Sequence, residues 1–243
     1  DKCLKIPLPY IFLEFLEKFS SEALGKGWDG LDIKKEVKSC LSLFKNEPLV
    51  FIDIGANKGI YTNYLIHKKS DISCHLFEPS KFNFRIIEKL FYLNQKIKIN
   101  KLALSNYSSK GKLFSNIEGS GLASLTKRRL DHFAIDMKLQ EEVEIIRFDE
   151  YWVNYKKVID FVKIDVEGHE LNVLKGFGDF IFKTKLIQFE FGGTNIDTKT
   201  YFQDLSLWHT TQQGGIHSCN FEYFRWPTHK PQWLDLPKNV PQI

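Results

Sequence analysis

The segment Val50–Thr62, VFIDIGANKGIYT, constrains the fold more than any other part of the sequence. Its continuous apolar start predicts a strand buried on both faces, as in a parallel sheet. Four small or polar residues then alternate with others before a helical pattern begins: Asp53, Gly55, Asn57 and Gly59. Glycine, and to a lesser degree asparagine, tolerates the positive φ of a tight turn. The segment therefore predicts a strand, turn and helix of the kind that cradles a phosphate or a nucleoside.

Strand patterns alternate with helical patterns from Leu49 onward. Strands are predicted in LVFIDIG, ISCHLFEPS, IKINKLALSN, VIDFVKIDVEGHE and KLIQFEFGG, and helices in GIYTNYLIHKK, KFNFRIIEKLFYL and HELNVLKGF. Such βαβ units predict an α/β fold with a doubly wound, mostly parallel sheet. A mixed segment at about 105–150 contains a predicted hairpin piece, GKLFS, and is expected to build the substrate side of a site.

Two flanking segments differ from this central domain, which we place at residues 47–207. Residues 1–46 are predicted to form a helical cap, because PYIFLEFLEKF puts its apolar side chains on one helical face: Ile11, Phe12, Phe15, Leu16 and Phe19. Residues 208–243 carry three of the five tryptophans and four of the eight prolines without a clear period. We interpret this tail as an atypical segment, either a sheet edge or a substrate cap.

Composition limits the class of partner. The net charge of +4, from 34 basic and 30 acidic residues spread along the chain, is too small to favour nucleic acid. No apolar run reaches the roughly 18 residues of a membrane span, so no transmembrane segment is expected. Four scattered cysteines favour a reducing compartment, and we expect a cytoplasmic protein. The chain begins at Asp1 rather than Met, which leaves open a native N-terminus, with any targeting signal, upstream of it; the oligomeric state is also left open.

Glu78 ends the second predicted strand, 19 positions after Gly59. An acid at that place can accept hydrogen bonds from both hydroxyls of a ribose, although a solvated carboxylate is a common alternative. The glycine turn and Glu78 together favour a cofactor that contains a nucleoside. The turn is not a P-loop, and Asn57 breaks the dinucleotide pattern. Asp53 suits the ammonium and sulfonium groups of S-adenosylmethionine better than the pyrophosphate of NAD, so S-adenosylmethionine is favoured.

The segments FIDIGANKGIYT, FEPSKFNF, LALSN and VIDFVKIDVEGHELNVLKG resemble the FkbM family of S-adenosylmethionine-dependent methyltransferases. The resemblance covers roughly residues 48–206. It implies the class I methyltransferase fold, which is Rossmann-like, and methyl transfer to an oxygen, typically a hydroxyl of a sugar or a natural product. The tail does not show the antiparallel strand pair that usually completes this sheet, so we expect the tail to depart from the family.

The resemblance also implies roles for individual residues. Contacts with the methionine part of the cofactor are expected from Asp53, Gly55, Asn57 and Gly59. Glu78 is expected to bind the ribose, and Ser105 and Asn106, at the end of the third strand, are expected near the adenine. Asp165 is expected to face the site of methyl transfer.

A hydroxyl acceptor must lose its proton, so a base is expected beside the strand that ends at Asp165. His169 or Asp165 is the predicted base, with Glu167 positioning the acceptor; an exposed residue at a helix start is the alternative for His169. Glu170 is interpreted as an acid that the helix dipole favours in the first turn.

Two further groups of charged residues could bind a metal or an acceptor. Asp165, Glu167 and Glu190 have the chemistry of a divalent-metal site, but a hydrogen-bonded acid at the sheet edge is the preferred interpretation and no metal is predicted. Arg128 and Arg129 in SGLASLTKRR could grip an acidic group of an acceptor, or lie in solvent.

The leading hypothesis is an O-methyltransferase that acts on a small-molecule or glycan hydroxyl. A domain that binds the cofactor but has lost its acceptor site is the second hypothesis. An NAD-dependent oxidoreductase is the third, and Asn57 in the turn disfavours it.

Overall fold

A computed structural model describes residues 31–44, 48–130, 134–155, 157–189, 195, 198–200, 217–220 and 223–225. The chain divides into two units, Asp1–Glu47 and Pro48–Ile243. In the first unit, helix α1 spans Leu31–Ser42. The segment PYIFLEFLEKF lies outside the described residues, so the helical face expected there stays a prediction.

The second unit is built on two sheets. Its described strands are β1 (Leu49–Ile54), β2 (Ile72–Phe77), β3 (Ile97–Asn100), β4 (Ala103–Leu104), β5 (Ser109–Ser115), β6 (Leu139–Ile146), β7 (Ile159–Ile164), β8 (Thr184–Phe189), β9 (His217–Asn220) and β10 (Tyr223–Arg225). The large sheet has the order β3-β2-β1-β7-β8-β10-β9, with parallel pairing from β3 through β8. This order confirms the predicted α/β fold with a doubly wound, mostly parallel sheet.

Helices connect the strands as the sequence pattern predicts. The described helices of this unit are α2 (Ile60–Lys68), α3 (Lys81–Phe91), α4 (Phe148–Trp152), α5 (Glu170–Gly176) and a 3₁₀ helix (Gly178–Lys183). In the described part of the chain, no helix is both long and apolar enough to cross a membrane.

The core lies on both faces of the central strands β1 and β7, whose side chains are almost entirely buried. On one face the Phe148 and Phe177 rings stack with centroids 4.0 Å apart. On the other face Phe51 stacks on Phe161 at 4.9 Å. Burial of each such ring contributes about 1.5–3 kcal/mol, so the strands that carry the turns are rigidly held.

The predicted third strand, IKINKLALSN, is wrong in its extent. Its first part forms β3 in the large sheet, but its second part forms β4, which pairs in parallel with β6 in a separate three-stranded sheet. The predicted hairpin piece is confirmed, because β5 pairs antiparallel with β6 along its whole length. The two sheets therefore part at Lys101 and Leu102, which belong to neither strand.

The expectation that the tail lacks the closing strand pair is also wrong. Strand β10 pairs antiparallel with β8, and β9 pairs antiparallel with β10 at the sheet edge. The sheet thus continues beyond residue 207, and of the two interpretations of the tail, the sheet edge applies to residues 217–220 and 223–225.

Candidate functional site

A cavity opens at the carboxyl ends of β1, β2 and β7, where the strand order reverses direction. Ligands of open α/β sheets bind at such a switch point. The cavity encloses about 630 Å³, part of it open to solvent. Its described lining residues are Ile54, Gly55, Asn57, Phe77, Glu78, Pro79, Asn83, Leu102, Ala103, Leu104, Leu113, Ser120, Gly121, Ala123, Leu125, Asp165, Val166 and His169.

The turn after β1, residues 55–59, uses positive φ at three places: Gly55 (82°), Asn57 (50°) and Gly59 (75°). A Cβ at Gly55 would lie 1.9 Å from the Asp165 carbonyl oxygen, so this glycine lets the backbones after β1 and β7 approach each other. A Cβ at Gly59 would lie 2.9 Å from the Phe91 ring. Gly59 therefore permits helix packing, whereas the expected ligand contact is not supported there.

Glu78 clamps this turn from the end of β2. The backbone N–H of Asn57 donates to Glu78 Oε2 at 2.7 Å, and that of Ser80 donates to Oε1 at 2.9 Å. The Glu78 side chain lines the cavity although the residue is only 5% exposed. Burial raises the pKa of Glu78 to about 8. Each carboxyl oxygen has one described N–H donor and can form one further hydrogen bond, so the group fits the hydroxyls of a ribose.

Asp53 does not lie where the sequence analysis expected it. It has no exposed surface, and it is not among the described residues that line the cavity. Its side chain points to the face covered by α2, where Thr62 Oγ1 donates to Asp53 Oδ2 at 2.5 Å. Burial raises the pKa of Asp53, and the Lys163 ammonium opposes that rise. Asp53 Oδ1 has no hydrogen-bond partner among the described residues, so the expected contact with the methionine part of the cofactor stays a proposal.

Two amide oxygens of the cavity wall are buried without protein partners. Oδ1 of Asn57 and Oδ1 of Asn83 find no hydrogen-bond partner among the described residues. Leaving such an acceptor unsatisfied costs about 1–3 kcal/mol. Together with the Glu78 carboxylate, these acceptors fit a ligand that carries several hydrogen-bond donors, as an adenosyl group does.

Ser105 and Asn106, which were expected near the adenine, do not line the described cavity. They follow β4 rather than a strand of the large sheet, and neither is among the described lining residues. Ser105 is fully buried behind His169, whereas Asn106 is exposed. The neighbouring segment 102–104 lines the cavity instead and supplies apolar surface.

Asp165 directly follows β7 and lies in the cavity wall. Its backbone N–H donates to the Ile54 carbonyl at 2.9 Å, and its Oδ2 accepts a hydrogen bond from Lys163 Nζ at 2.8 Å. The Asp165 side chain is 35% exposed, whereas the Lys163 side chain is 11% exposed. Lys163 also lies over the Tyr61 ring, with Nζ 5.3 Å from its centroid. Asp165 is thus a lining residue of the cavity with an ion-paired, partly exposed carboxylate.

The turn after β7, residues 165–169, also uses positive φ, at Glu167 (56°) and Gly168 (96°). The Glu170 carboxylate clamps it. The backbone N–H groups of Gly168 and Val166 donate to Glu170 Oε1 at 3.0 and 3.3 Å, and Asn195 Nδ2 donates to Oε2 at 3.1 Å. Glu170 is therefore a structural acid in the first turn of α5, as interpreted from the sequence.

Glu167 faces the loop 116–130 rather than the cavity. Arg128 Nη1 donates to Glu167 Oε2 at 2.7 Å, and Ser124 Oγ donates to the Glu167 carbonyl at 2.9 Å. Burial, and then the nearby Asp165, raise the pKa of Glu167 to about 7, whereas Arg128 lowers it. Arg129 is exposed. Within the described residues, Arg128 is thus held by Glu167 and fastens the loop to the turn.

His169 lines the cavity, but both of its ring nitrogens have protein partners. Asn172 Nδ2 lies 3.3 Å from Nδ1, and Ser105 Oγ lies 2.9 Å from Nε2. Because an amide NH₂ can only donate, Nδ1 accepts and Nε2 carries the hydrogen that it donates to Ser105. Burial lowers the pKa of His169 to about 4. This geometry does not favour His169 as the general base.

A divalent-metal site is the alternative role for Asp165, Glu167 and Glu190. Among the described residues, no group of three or more His, Cys, Asp or Glu side chains is arranged to hold a metal ion. Glu190 lies outside those residues.

Two polar residues of the site were missed in the sequence, although each carried a signal. Asn83 lies on the buried face of α3 with Ile87 and Phe91, at a spacing of four residues. Lys163 interrupts the otherwise apolar β7, apart from Asp160 near its start. A polar side chain on an apolar face needs a hydrogen-bond or charge partner when it is buried. Both positions therefore indicated a buried polar cluster, as a binding site provides.

Several known proteins are similar to this chain. Methyltransferase sdnD of Sordaria araneosa is 29% identical over 154 residues, which are 51% of this chain and 59% of that protein. The matched part thus spans less than two thirds of that relative's length. The solved methyltransferase domain of delta-N METTL16 has a TM-score of 0.48 at 12% identity and covers 86% of this chain and 92% of its own. TrmK of M. capricolum with S-adenosyl-homocysteine has a TM-score of 0.38 at 14% identity, with 79% and 65% covered. Structural similarity at this level supports no functional comparison.

A family model provides the decisive comparison. The model of the methyltransferase FkbM domain matches residues 53–223, which is more than half of the 243 residues. The match begins at Asp53 before the first turn and ends at the first residue of β10. It confirms the resemblance to the FkbM family that the sequence predicted. The chain belongs to the FkbM methyltransferase family.

Proposed function

We propose that this protein transfers a methyl group from S-adenosylmethionine to an oxygen, the hydroxyl of a sugar, a glycan or a related natural product. The observation that carries the proposal is the Asp165 carboxylate, which lies in the cavity wall at the end of β7, partly exposed and paired with Lys163. A hydroxyl acceptor needs such a base, because it must lose a proton as its oxygen is methylated.

The cavity offers complementary groups for each part of the cofactor, which supplies a methyl group on a positively charged sulfur. Glu78 would accept hydrogen bonds from the ribose hydroxyls. The apolar segment 102–104, together with Leu113 and Leu125, would bind the flat adenine ring. Gly55 and Asn57, in the turn after β1, would line the methionine side.

Asp165 would accept the acceptor's proton. Lys163 Nζ lies 2.8 Å from Asp165 Oδ2, so the ammonium stabilises the charged form of the carboxylate and fixes its orientation. Most of the rate enhancement would come from alignment in a site that excludes water. His169, held between Ser105 and Asn172, would shape the cavity wall beside Asp165 as a neutral positioning residue.

The non-catalytic alternative has lost its main motivation. It was based on a tail without a closing strand pair, and β9 and β10 supply that pair. A cytoplasmic location stays a prediction from the scattered cysteines, and the absence of a nucleic-acid partner stays a prediction from the weak net charge.

The proposal is tested by measuring S-adenosylhomocysteine formation with a panel of sugars, glycans and hydroxylated natural products. The Asp165→Asn variant is expected to lower turnover about 10²–10⁴-fold, the usual contribution of a general base. Asp136→Asn is the matched control, because Asp136 is an exposed acid paired only with Lys138 within the described residues.

Three outcomes would contradict parts of this proposal. No binding of S-adenosylhomocysteine would remove the cofactor assignment for the cavity. Binding without turnover on any hydroxyl acceptor would favour the non-catalytic alternative. Full turnover in Asp165→Asn would show that another group takes the proton.

A further inference from the structure

Asn83 occupies an unusual place for an asparagine. It lies in the first turn of α3 on the face that also buries Ile87 and Phe91, and only 1% of its surface is exposed. It nevertheless lines the cavity, and its Oδ1 has no hydrogen-bond partner in the part of the chain that the structure describes. A buried amide oxygen at a cavity wall is an acceptor that lacks a donor.

The Ser120 hydroxyl, which lines the same cavity, and the Ser80 N–H, three residues before Asn83, already have partners. Ser120 Oγ donates to Asn116 Oδ1 at 2.6 Å and accepts the backbone N–H of Leu122 at 3.0 Å. The backbone N–H of Ser80 donates to Glu78 at 2.9 Å. A donor for Asn83 is therefore expected from a bound molecule rather than from these groups.

The loop 116–130 closes over Asn83. Gly119 has φ of 69°, and a Cβ there would lie 2.5 Å from the Phe82 ring and 3.1 Å from Asn83 Oδ1. Only a residue without a side chain lets the loop approach α3 so closely. This contact shields Asn83 from bulk water, and a hydrogen bond in such a place discriminates strongly between ligands with and without the donor.

Resting on the proposed function, we propose that Asn83 determines cofactor specificity, its side-chain oxygen accepting a hydrogen bond from the nucleoside part of S-adenosylmethionine. Adenosine offers donors at the 6-amino group and at the 2′- and 3′-hydroxyls. Glu78 on the same wall would take hydroxyl donors, and Asn83 adds a neutral acceptor beside it. The cavity then reads the nucleoside with two side chains from opposite ends of one β2–α3 connection.

The test is a binding cycle with S-adenosylhomocysteine and three analogues, each lacking the 6-amino group, the 2′-hydroxyl or the 3′-hydroxyl. Wild-type protein is expected to bind the analogue without Asn83's partner about fivefold to tenfold more weakly than S-adenosylhomocysteine. We call each analogue's loss of affinity, relative to S-adenosylhomocysteine, its penalty. In Asn83→Ala the penalty of that one analogue is expected to vanish, while the penalties of the other two persist. Asn83→Asp, which keeps acceptor oxygens, is expected to retain all three penalties.

Asn100→Ala is the matched control. Asn100 is also a buried amide, but its Nδ2 donates to the Leu76 carbonyl at 3.0 Å, and it is not among the described lining residues. It is expected to lower stability and to leave all three penalties intact.

The proposal is overturned if Asn83→Ala keeps all three penalties, if Asn83→Asp loses the same penalty as Asn83→Ala, or if Asn100→Ala loses it too. Failure of the cofactor assignment gives a different result, because wild-type protein would then not bind S-adenosylhomocysteine at all. Failure of methyl transfer alone appears in the turnover assay and leaves this binding cycle unchanged.

Discussion

The two turns at the mouth of the sheet are built on one plan and differ in what they offer a ligand. The turn after β1 is clamped by Glu78, and the turn after β7 is clamped by Glu170. Both glutamates are buried and accept backbone N–H groups from residues with positive φ, Asn57 in one turn and Gly168 in the other.

The difference lies in the remaining capacity of each carboxylate. Glu78 lines the cavity, and each of its oxygens holds one described N–H donor. Glu170 holds three described donors, including Asn195, and it is not among the described lining residues. We therefore expect the clamp of the first turn to bind a ligand as well, and the clamp of the second turn only to hold the backbone that follows Asp165. Buried acids near a site are therefore not equivalent. The number of protein donors on each carboxylate indicates whether it can still bind a ligand or only holds the backbone.

Glu78→Ala is expected to weaken cofactor binding at the first turn. S-adenosylhomocysteine affinity should fall about 100-fold, because both hydrogen bonds proposed between Glu78 and the ribose would be lost. Isothermal titration calorimetry measures this affinity. Unchanged affinity would show that the ribose binds elsewhere.

Glu170→Ala is expected to damage the second turn in a different way. Unfolding free energy should fall by about 2 kcal/mol, because the N–H groups of Gly168 and Val166 lose a buried acceptor. Denaturant unfolding measures this loss, and cofactor affinity should fall much less than in Glu78→Ala. A reversed pattern, with binding lost and stability kept, would overturn the comparison.

Arg128→Ala is expected to have a smaller, pH-dependent effect. It leaves the buried Glu167 without its ion pair, at a cost of about 1–3 kcal/mol above the pKa of that carboxyl. Because the Glu167 pKa is raised to about 7, protonation relieves the cost at acid pH. Melting temperatures measured from pH 5 to 8.5 should show the variant approaching wild type at the acid end; a constant difference would contradict this.

Glu78→Gln is expected to change how stability depends on pH. The folded protein keeps the Glu78 proton up to about pH 8, whereas the group's ordinary pKa is 4.5. The folded state thus binds more protons in this window, so the wild-type stability falls as pH rises from 4.5 to 8. Urea unfolding across that window should show a shallower fall in Glu78→Gln. Parallel curves would mean that Glu78 ionises normally.

The parts of this molecule that carry a periodic signal could be predicted from its sequence. The apolar runs of β1, β2, β7 and β8 and the helical period of α3 are long enough to be recognised in the sequence. Gly55 and Asn57 signalled positive φ, and the structure has it at both. Glu78 could be predicted at the same edge of the sheet as the glycine turn, because each directly follows one of two neighbouring parallel strands.

The remaining features depend on contacts that the sequence does not encode locally. Strand β10 has three residues, too few for a period, and it exists because β8 offers an open edge. Asp53 was expected in the cavity, but the pleat of β1 turns it toward Thr62 of α2. Of the two partners of His169, Asn172 lies only three residues further along the chain, whereas Ser105 is set by how α5 packs on β4, which no single segment reveals.

The central claim is that the cavity at the ends of β1, β2 and β7 holds the nucleoside of S-adenosylmethionine against Glu78. A crystal structure with S-adenosylhomocysteine tests it most directly. We predict both ribose hydroxyls within hydrogen-bond distance of the Glu78 carboxylate, with the adenine beside residues 102–104. A cofactor bound elsewhere, with Glu78 holding only the N–H groups of Asn57 and Ser80, would contradict the claim.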